Sequence, residues 1–329
     1  MNRLFSLVAL SLIVIVVAIG LGSVYVPATE VVRILLLGQS ENPTLISIIQ
    51  NIRLPRVLMA YVAGAGLSLS GVVMQSVLKN PLASSFTIGT STGAAVGASF
   101  AILSGITIFG FLTIPIFGFT FAVLTVVLAI SISAKFSSLE NTTIILIGMA
   151  ISFLGSALLT ILMAVFSESM QRLLFWQMGS VSGVPLTYVA FIFGMTLLCL
   201  FFLLLKHKEL DILTLDDDTA RTMGVDVKRT KWVLLMICAI LTGTIVSFVG
   251  IIGFVDLFTP PLARKFIGSR HRYVLLATPL MGGSFMVLSD LLARVVLSPI
   301  ELPIGAVTAL IGGPLFIYIY LKGFAHARS

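Results

Sequence analysis

Arg53 and Arg56 stand at the mouth of a glycine- and alanine-rich apolar span that closes on Gln75 and then Asn80-Pro81-Leu82-Ala83. Guanidiniums beside so apolar a stretch are costly unless they stay wet or meet acidic partners, and their planar fork suits bidentate capture of a carboxylate. Arg294 closes a later apolar run on the same side, so the three together form a candidate docking surface. Asp290, four residues before Arg294 on one helical face, is expected to neutralise it. Beyond the first span, Gln75, Ser84, Ser85, Thr87, Ser91 and Thr92 are neutral polar groups suited to a translocation route that must not hold its cargo tightly. Asp256 is the other embedded carboxylate, and a wet vestibule beside a helix break is its expected setting. His207, His271 and His326 fall at the ends of apolar runs. No zinc-type HExxH and no buried serine–histidine pairing can be drawn, so neither a catalytic nor a metal site is expected.

The elements that carry these groups cross a membrane. Of 329 residues 58% are hydrophobic and 10% charged, against about a quarter charged in a soluble domain. Apolar runs at 4–26, 57–78, 86–104, 108–134, 142–166, 186–205, 232–254, 273–297 and 303–321 each reach about 20 residues, the length of a hydrocarbon crossing. The first run follows only Asn2 and Arg3 but has no small-residue cleavage pattern, so it reads as a retained helix. Basic residues cluster at 206–208, 228–231 and 264–272, which by the positive-inside rule places both termini in the cytoplasm. The placement of these basic residues thus sets orientation, and no nucleic-acid partner is expected.

Between Trp232 and Ala263 the chain must leave the cytoplasmic side and return. Thirty-two helical residues cover roughly 48 Å, short of the roughly 60 Å of two crossings. Gly250, Gly253, Pro260 and Pro261 supply a break. The expected fold is an all-α polytopic membrane protein of about ten transmembrane helices, the eighth short and broken, forming one domain over 1–329. Gly64, Gly66, Gly71, Gly89, Gly93 and Gly97 predict close helix packing, and Cys199 and Cys238 serve as small hydrophobes.

One long polar insertion interrupts this pattern, from Lys206 to Lys231. Asp216, Asp217 and Asp218 favour the start of a short helix, Gly224 its end, and 225–231 the start of the next element. Glu168 to Gly179, with Arg172, Phe175 and Trp176, predicts a short amphipathic helix at the opposite interface. The chain has no Gly-x4-Gly-Lys-Ser/Thr phosphate loop, so ATP hydrolysis is not expected of it.

RLPR at 53–56, SGVVMQ at 70–75, NPLA at 80–83, IGTSTGAAVGA at 88–98, FWQMGSVSG at 175–183, LDDDTARTMGVDVKRTK at 215–231, IGFV at 252–255, SDLLAR at 289–294 and ELPIGAVTALIGGPLFIYIYLK at 301–322 occur in that order. Together they resemble the permease family of type II ABC importers, which carry iron-siderophore complexes, haem or vitamin B12. The resemblance implies a multi-pass subunit of a bacterial cytoplasmic membrane, embedded in the lipid bilayer and binding no cofactor itself. Its partners would be a second permease, identical or homologous, two ATP-binding subunits that use the ATP, and an extracytoplasmic substrate-binding protein. Arg53, Arg56 and Arg294 would then receive glutamates of the binding protein, while Asp217, Asp218, Ala220, Arg221, Met223, Gly224 and Val225 would rest in a groove of the ATPase. Ferric siderophore is the implied cargo, with haem or vitamin B12 as alternatives. An ion-coupled secondary transporter is disfavoured by the lack of midplane coupling carboxylates. Two positions depart from the family pattern: Asp256 stands where glycine is usual, and Pro261 where histidine is usual.

Overall fold

The computed structural model describes residues 2–22, 25–40, 42–137 and 140–327. Helix α1 (Asn2–Gly20) is followed by α2 (Ala28–Leu37) and α3 (Pro43–Ser47), which runs through a π-helical turn into α4 (Leu54–Val77). Then come α5 (Thr90–Ser104), α6 (Thr113–Ser137), α7 (Asn141–Val165), the short α8 (Met170–Met178) and α9 (Leu186–Leu205). The polar insertion forms α10 (His207–Leu213) and α11 (Asp217–Thr222) before α12 (Val227–Val249), α13 (Val255–Ile267), α14 (His271–Val295) and α15 (Ile304–Ala327).

Seven of these segments, containing α1, α4, α6, α7, α9, α12 and α14, are long and apolar enough to cross a membrane. The sequence predicts about ten. The other three predicted crossings fall on α5, of 15 residues, on α13, of 13 residues, and on α15, whose apolar described part is Ile304–Ile319. The apolar run 86–104 is shorter as a helix because residues 80–89 turn before Thr90. The run 232–254 likewise stops at Val249, where Gly250 takes φ +74°. The last two residues, on which the placement of the C-terminus rests, lie outside the described part.

Helix α4 is the axle, its apolar span 89% buried, whereas α7 is 17% buried and turns most of its surface outward. Small residues allow that burial. A Cβ on Gly64 would collide with Gly282 O of α14, and one on Gly71 with Asp256 O of α13, so α4 meets both helices backbone to backbone. Gly93 and Gly97 lie as close to Phe121 O and Phe117 O of α6. Local chemistry sets the short elements: Asp216 accepts from Thr219 N at 2.8 Å to start α11, and Asp226 accepts from Arg229 N at 3.0 Å to start α12. Gly224, at φ +84°, lies in the turn between them as its position predicts.

Candidate functional site

At one end of the bundle the three predicted arginines do converge, but two of them turn inward. Arg53 Nη1 donates to Ile19 O at 2.8 Å and Gly20 O at 3.1 Å, while Arg294 Nη2 donates to Ala18 O at 3.1 Å and its Nη1 to Leu21 O at 3.4 Å. These are the carbonyls that the last turn of α1 leaves without helical partners, at the negative end of its dipole. Arg53 is 5% and Arg294 8% exposed, so both act as buried cationic caps. Arg294 Nε also lies 3.0 Å from Asp290 Oδ2, the pairing expected from their spacing, as an ion contact rather than an aligned hydrogen bond. Arg56 is more accessible. Its Nε donates to Asp290 Oδ1 at 2.9 Å and its Nη1 to both oxygens of Glu301, at 2.8 and 3.0 Å, where Glu301 is 53% exposed. The sequence reading missed Glu301, which follows a proline-containing turn and precedes α15.

Midway through the bundle, α12 stops and non-helical backbone runs from Gly250 to Phe254. It is satisfied by another irregular segment: Ser180 N, just past α8, donates to Val249 O at 2.8 Å. Phe254 then takes φ +69°, a left-handed backbone that costs a bulky residue about 1–3 kcal/mol, and its side chain packs against Gly312 of α15. Pro260 and Pro261, predicted as the break itself, lie inside α13 instead. Lacking N–H groups, they cannot satisfy the carbonyls four residues back, Asp256 O and Leu257 O. Gln75 of α4 supplies the missing donor: its Nε2 lies 2.9 Å from Leu257 O and 3.4 Å from Asp256 O. Pro261 is thereby accommodated.

Asp256 is 2% exposed, which corrects the expected wet vestibule. Its Oδ2 accepts from both Ser85 N and Ser85 Oγ at 2.9 Å, and Ser85 Oγ in turn lies 3.3 Å from Thr242 Oγ1. The carboxyl sits in the first turn of α13, at its positive end, and pins the 80–89 turn to that helix. Beside this junction opens a cavity of about 560 Å³, lined by Ser84, Thr87 and Phe86, by Gln177 and Met178 of α8, by Phe254 and Leu257, and by the start of α15. Of the predicted pathway residues, Ser84 and Thr87 face this cavity. Ser85 stands behind it, Ser91 Oγ is buried without a partner among the described residues, and the Thr92 methyl packs near Gly155. Gln177, whose buried Nε2 has no partner among the described residues, was missed; the FWQMGSVSG string and its amphipathic setting were the available signal.

At the opposite end, Asp217 bridges Lys79 beyond α4, at 2.7 Å, and Lys231 of α12, at 2.6 Å, while Lys231 also reaches Asn141 of α7 at 2.8 Å. Partial burial works to raise the Asp217 carboxyl, but hydrogen bonds from Lys231 and Lys79 outweigh it and hold it below the usual carboxylate range. Ala220 forms the buried face of α11, whereas Met223 and the Asp218–Arg221 pair point outward. One expectation fails here. Ser76 Oγ lies 2.7 Å from His271 Nε2, and His271 Nδ1 lies 2.7 Å from Asp211 Oδ1, so a buried serine–histidine pairing does exist. Position in sequence hid it, because His271 begins α14 yet is only 1% exposed. The serine is held as a strut rather than freed as a nucleophile: it donates to Val72 O at 2.8 Å and accepts from Arg264 Nη2 at 2.9 Å.

Comparison with known proteins matches this architecture. A molybdate import system permease protein, MolB of Haemophilus influenzae, is 36% identical over 97% of this chain and 95% of its own length. An Fe(3+)-citrate import system permease protein, YfmE of Bacillus subtilis, is 33% identical over 95% of this chain and 93% of its own. A solved structure of a metal-chelate type ABC transporter in an inward-facing conformation superposes with a TM-score of 0.84 at 34% identity, covering 98% of this chain and 99% of that one. With the FecCD transport family model matching residues 10–322 as well, the chain belongs to the FecCD transport family and is a membrane-spanning permease of an ABC importer.

Proposed function

We propose that this permease passes a ferric siderophore, or a similar bulky iron chelate, inward across a bacterial cytoplasmic membrane. The observation that carries the reading is the character of the cavity beside the broken helix. About 560 Å³ in volume, it is lined by hydroxyls, one amide and apolar side chains, with no ionisable group among its described lining residues. Such a wall suits a large chelate whose own ligands already neutralise the metal, and among the described residues it offers no cationic grip for a small oxyanion such as molybdate. Haem and vitamin B12 are the alternative cargoes, being bulky chelates too.

In this arrangement a second permease completes the pore and two ATP-binding subunits sit under α10 and α11, meeting the exposed Met223, Asp218 and Arg221. The arginine end faces outward. There Arg56 is the group offered to a carboxylate of the substrate-binding protein, while Arg53 and Arg294 hold the end of α1 firm beneath it. Exposed pairs of this kind contribute about 0–1 kcal/mol each, so docking gains orientation and encounter rate more than affinity. The test is growth of a deletion strain on single iron sources. Loss of growth on one ferric chelate, restored by the gene, is expected; unimpaired growth on every chelate, haem included, together with lost molybdate uptake overturns the reading.

A further inference from the structure

The bonds that hold the broken helix do not end at Gln75. Its Oε1 accepts from Arg264 Nη1 at 3.0 Å, and Arg264 Nη2 reaches Ser76 Oγ at 2.9 Å. Ser76 Oγ meets His271 Nε2 at 2.7 Å, and both Nδ1 and the backbone N of His271 approach Asp211 Oδ1, at 2.7 and 2.9 Å. Five side chains from four helices are thus joined in series. The series starts at Asp211 on α10 and ends at the two carbonyls that Pro260 and Pro261 release in α13. Leu257, which carries one of those carbonyls, lines the cavity beside the break.

Two features suit this series to carrying displacement. Each middle member is engaged on both sides, since both ring nitrogens of His271 are bonded and Arg264 spans Gln75 and Ser76; a shift at one end therefore moves the next group or breaks a bond. The receiving end is also weakened, because α13 lacks two main-chain hydrogen bonds where the series attaches. Along one flank the series borders a separate cavity of about 550 Å³, lined also by Lys79, Thr214 and Arg270. Helix α10 packs on α14 and α4, while α13 packs on α4, α14 and α15.

We propose that Ser76, Arg264 and His271 are positioning residues through which movement of α10, when the ATP-binding subunits close, reaches the cavity wall at Leu257. The proposal rests on the importer reading above. It concerns how hydrolysis is converted into movement of cargo, so the quantity to measure is cargo moved per ATP hydrolysed.

The test uses the full complex, permease with ATPases and binding protein, in proteoliposomes supplied with the ferric chelate that supports growth. Ser76→Ala removes a single oxygen and should lower cargo moved per ATP three- to tenfold while basal ATP hydrolysis stays within twofold. His271→Phe should do the same, and the double variant should be no worse than His271→Phe alone, because both cut one series. Arg264→Lys, which can still reach one neighbour, should recover part of what Arg264→Met loses. An unchanged ratio in Ser76→Ala overturns the proposal, as do losses that multiply in the double variant, or uptake and hydrolysis that fall in proportion. Where His271→Phe fails to elute as an intact complex, Ser76→Ala and the two Arg264 variants decide alone. Failure of the unmodified complex to import any chelate with ATP overturns the importer reading instead.

Discussion

Replacing Gln75 by leucine isolates what the two prolines of α13 require. Leu257 O, bonded at 2.9 Å in a part-buried position, would lose its donor, at about 1–3 kcal/mol. Asp256 O, at 3.4 Å, would lose little more. Arg264 would also forfeit one acceptor, adding about 1 kcal/mol. The sum, about 2–4 kcal/mol, corresponds at about 2 °C per kcal/mol to a fall of about 4–8 °C in the unfolding midpoint of a chain this long. Pro261→Ala supplies the counter-perturbation, since residue 261 then has an N–H aimed at Leu257 O. Thermal unfolding in detergent of the parent, the two single variants and Gln75→Leu/Pro261→Ala forms a closed cycle. About half of the loss should return in the double variant. If the alanine helps the parent and the Gln75 variant equally, the amide is not standing in for the proline's missing donor, and the account of α13 is wrong.

Four further outcomes follow from the same geometry. Gly71→Ala should cost about 1–3 kcal/mol in the same unfolding assay, because its methyl meets main-chain oxygen at Asp256 rather than a side chain that can swing aside. Arg294→Leu should cost about 3 kcal/mol by uncovering the last carbonyls of α1 and half of the charge facing Asp290. Charge reversal of Arg56 should slow association of the binding protein several-fold, measured by surface-immobilised binding, and the exchange Arg56→Glu with Glu301→Arg should not restore the rate. Recovery in the exchanged variant would make Arg56 a purely internal partner of Glu301. The folded state holds Asp217 below its unfolded value, so its contribution is complete above the unfolded pKa and lost as pH falls through the folded one. Protection factors in α11, with the intrinsic pH dependence of amide exchange divided out, should therefore stay flat from pH 8 down to about 5, whereas Asp217→Asn lowers them throughout that range.

Much of this was visible in residue order, for reasons that differ by element. The length of apolar runs marked the crossing helices because a hydrocarbon slab imposes length directly. Asp216 and Gly224 announced the polar insertion because caps and left-handed turns are decided within a few residues. What stayed hidden depends on contacts far apart in the chain. The inward turn of Arg53 and Arg294 requires the end of α1, and the service of Gln75 requires prolines at 260 and 261. His271 looked like an end-of-span residue for the same reason: its burial is created by α10 and α4, and nothing near it in sequence says so. Pro260 and Pro261 were expected to interrupt a helix, yet a neighbouring amide let the helix continue through them.

The cover over α1 has an implication for how the molecule is made. Helix α1 is closed by Arg53, which the ribosome delivers soon afterwards, and by Arg294, which emerges 241 residues later than Arg53. Until then the opening segment waits in the bilayer half-sealed, and a nascent chain halted before α14 would leave it open to quality-control proteases. Helix α1 is thus inserted well before Arg294 can lock it, which makes its protease resistance a direct reporter of α14 having docked.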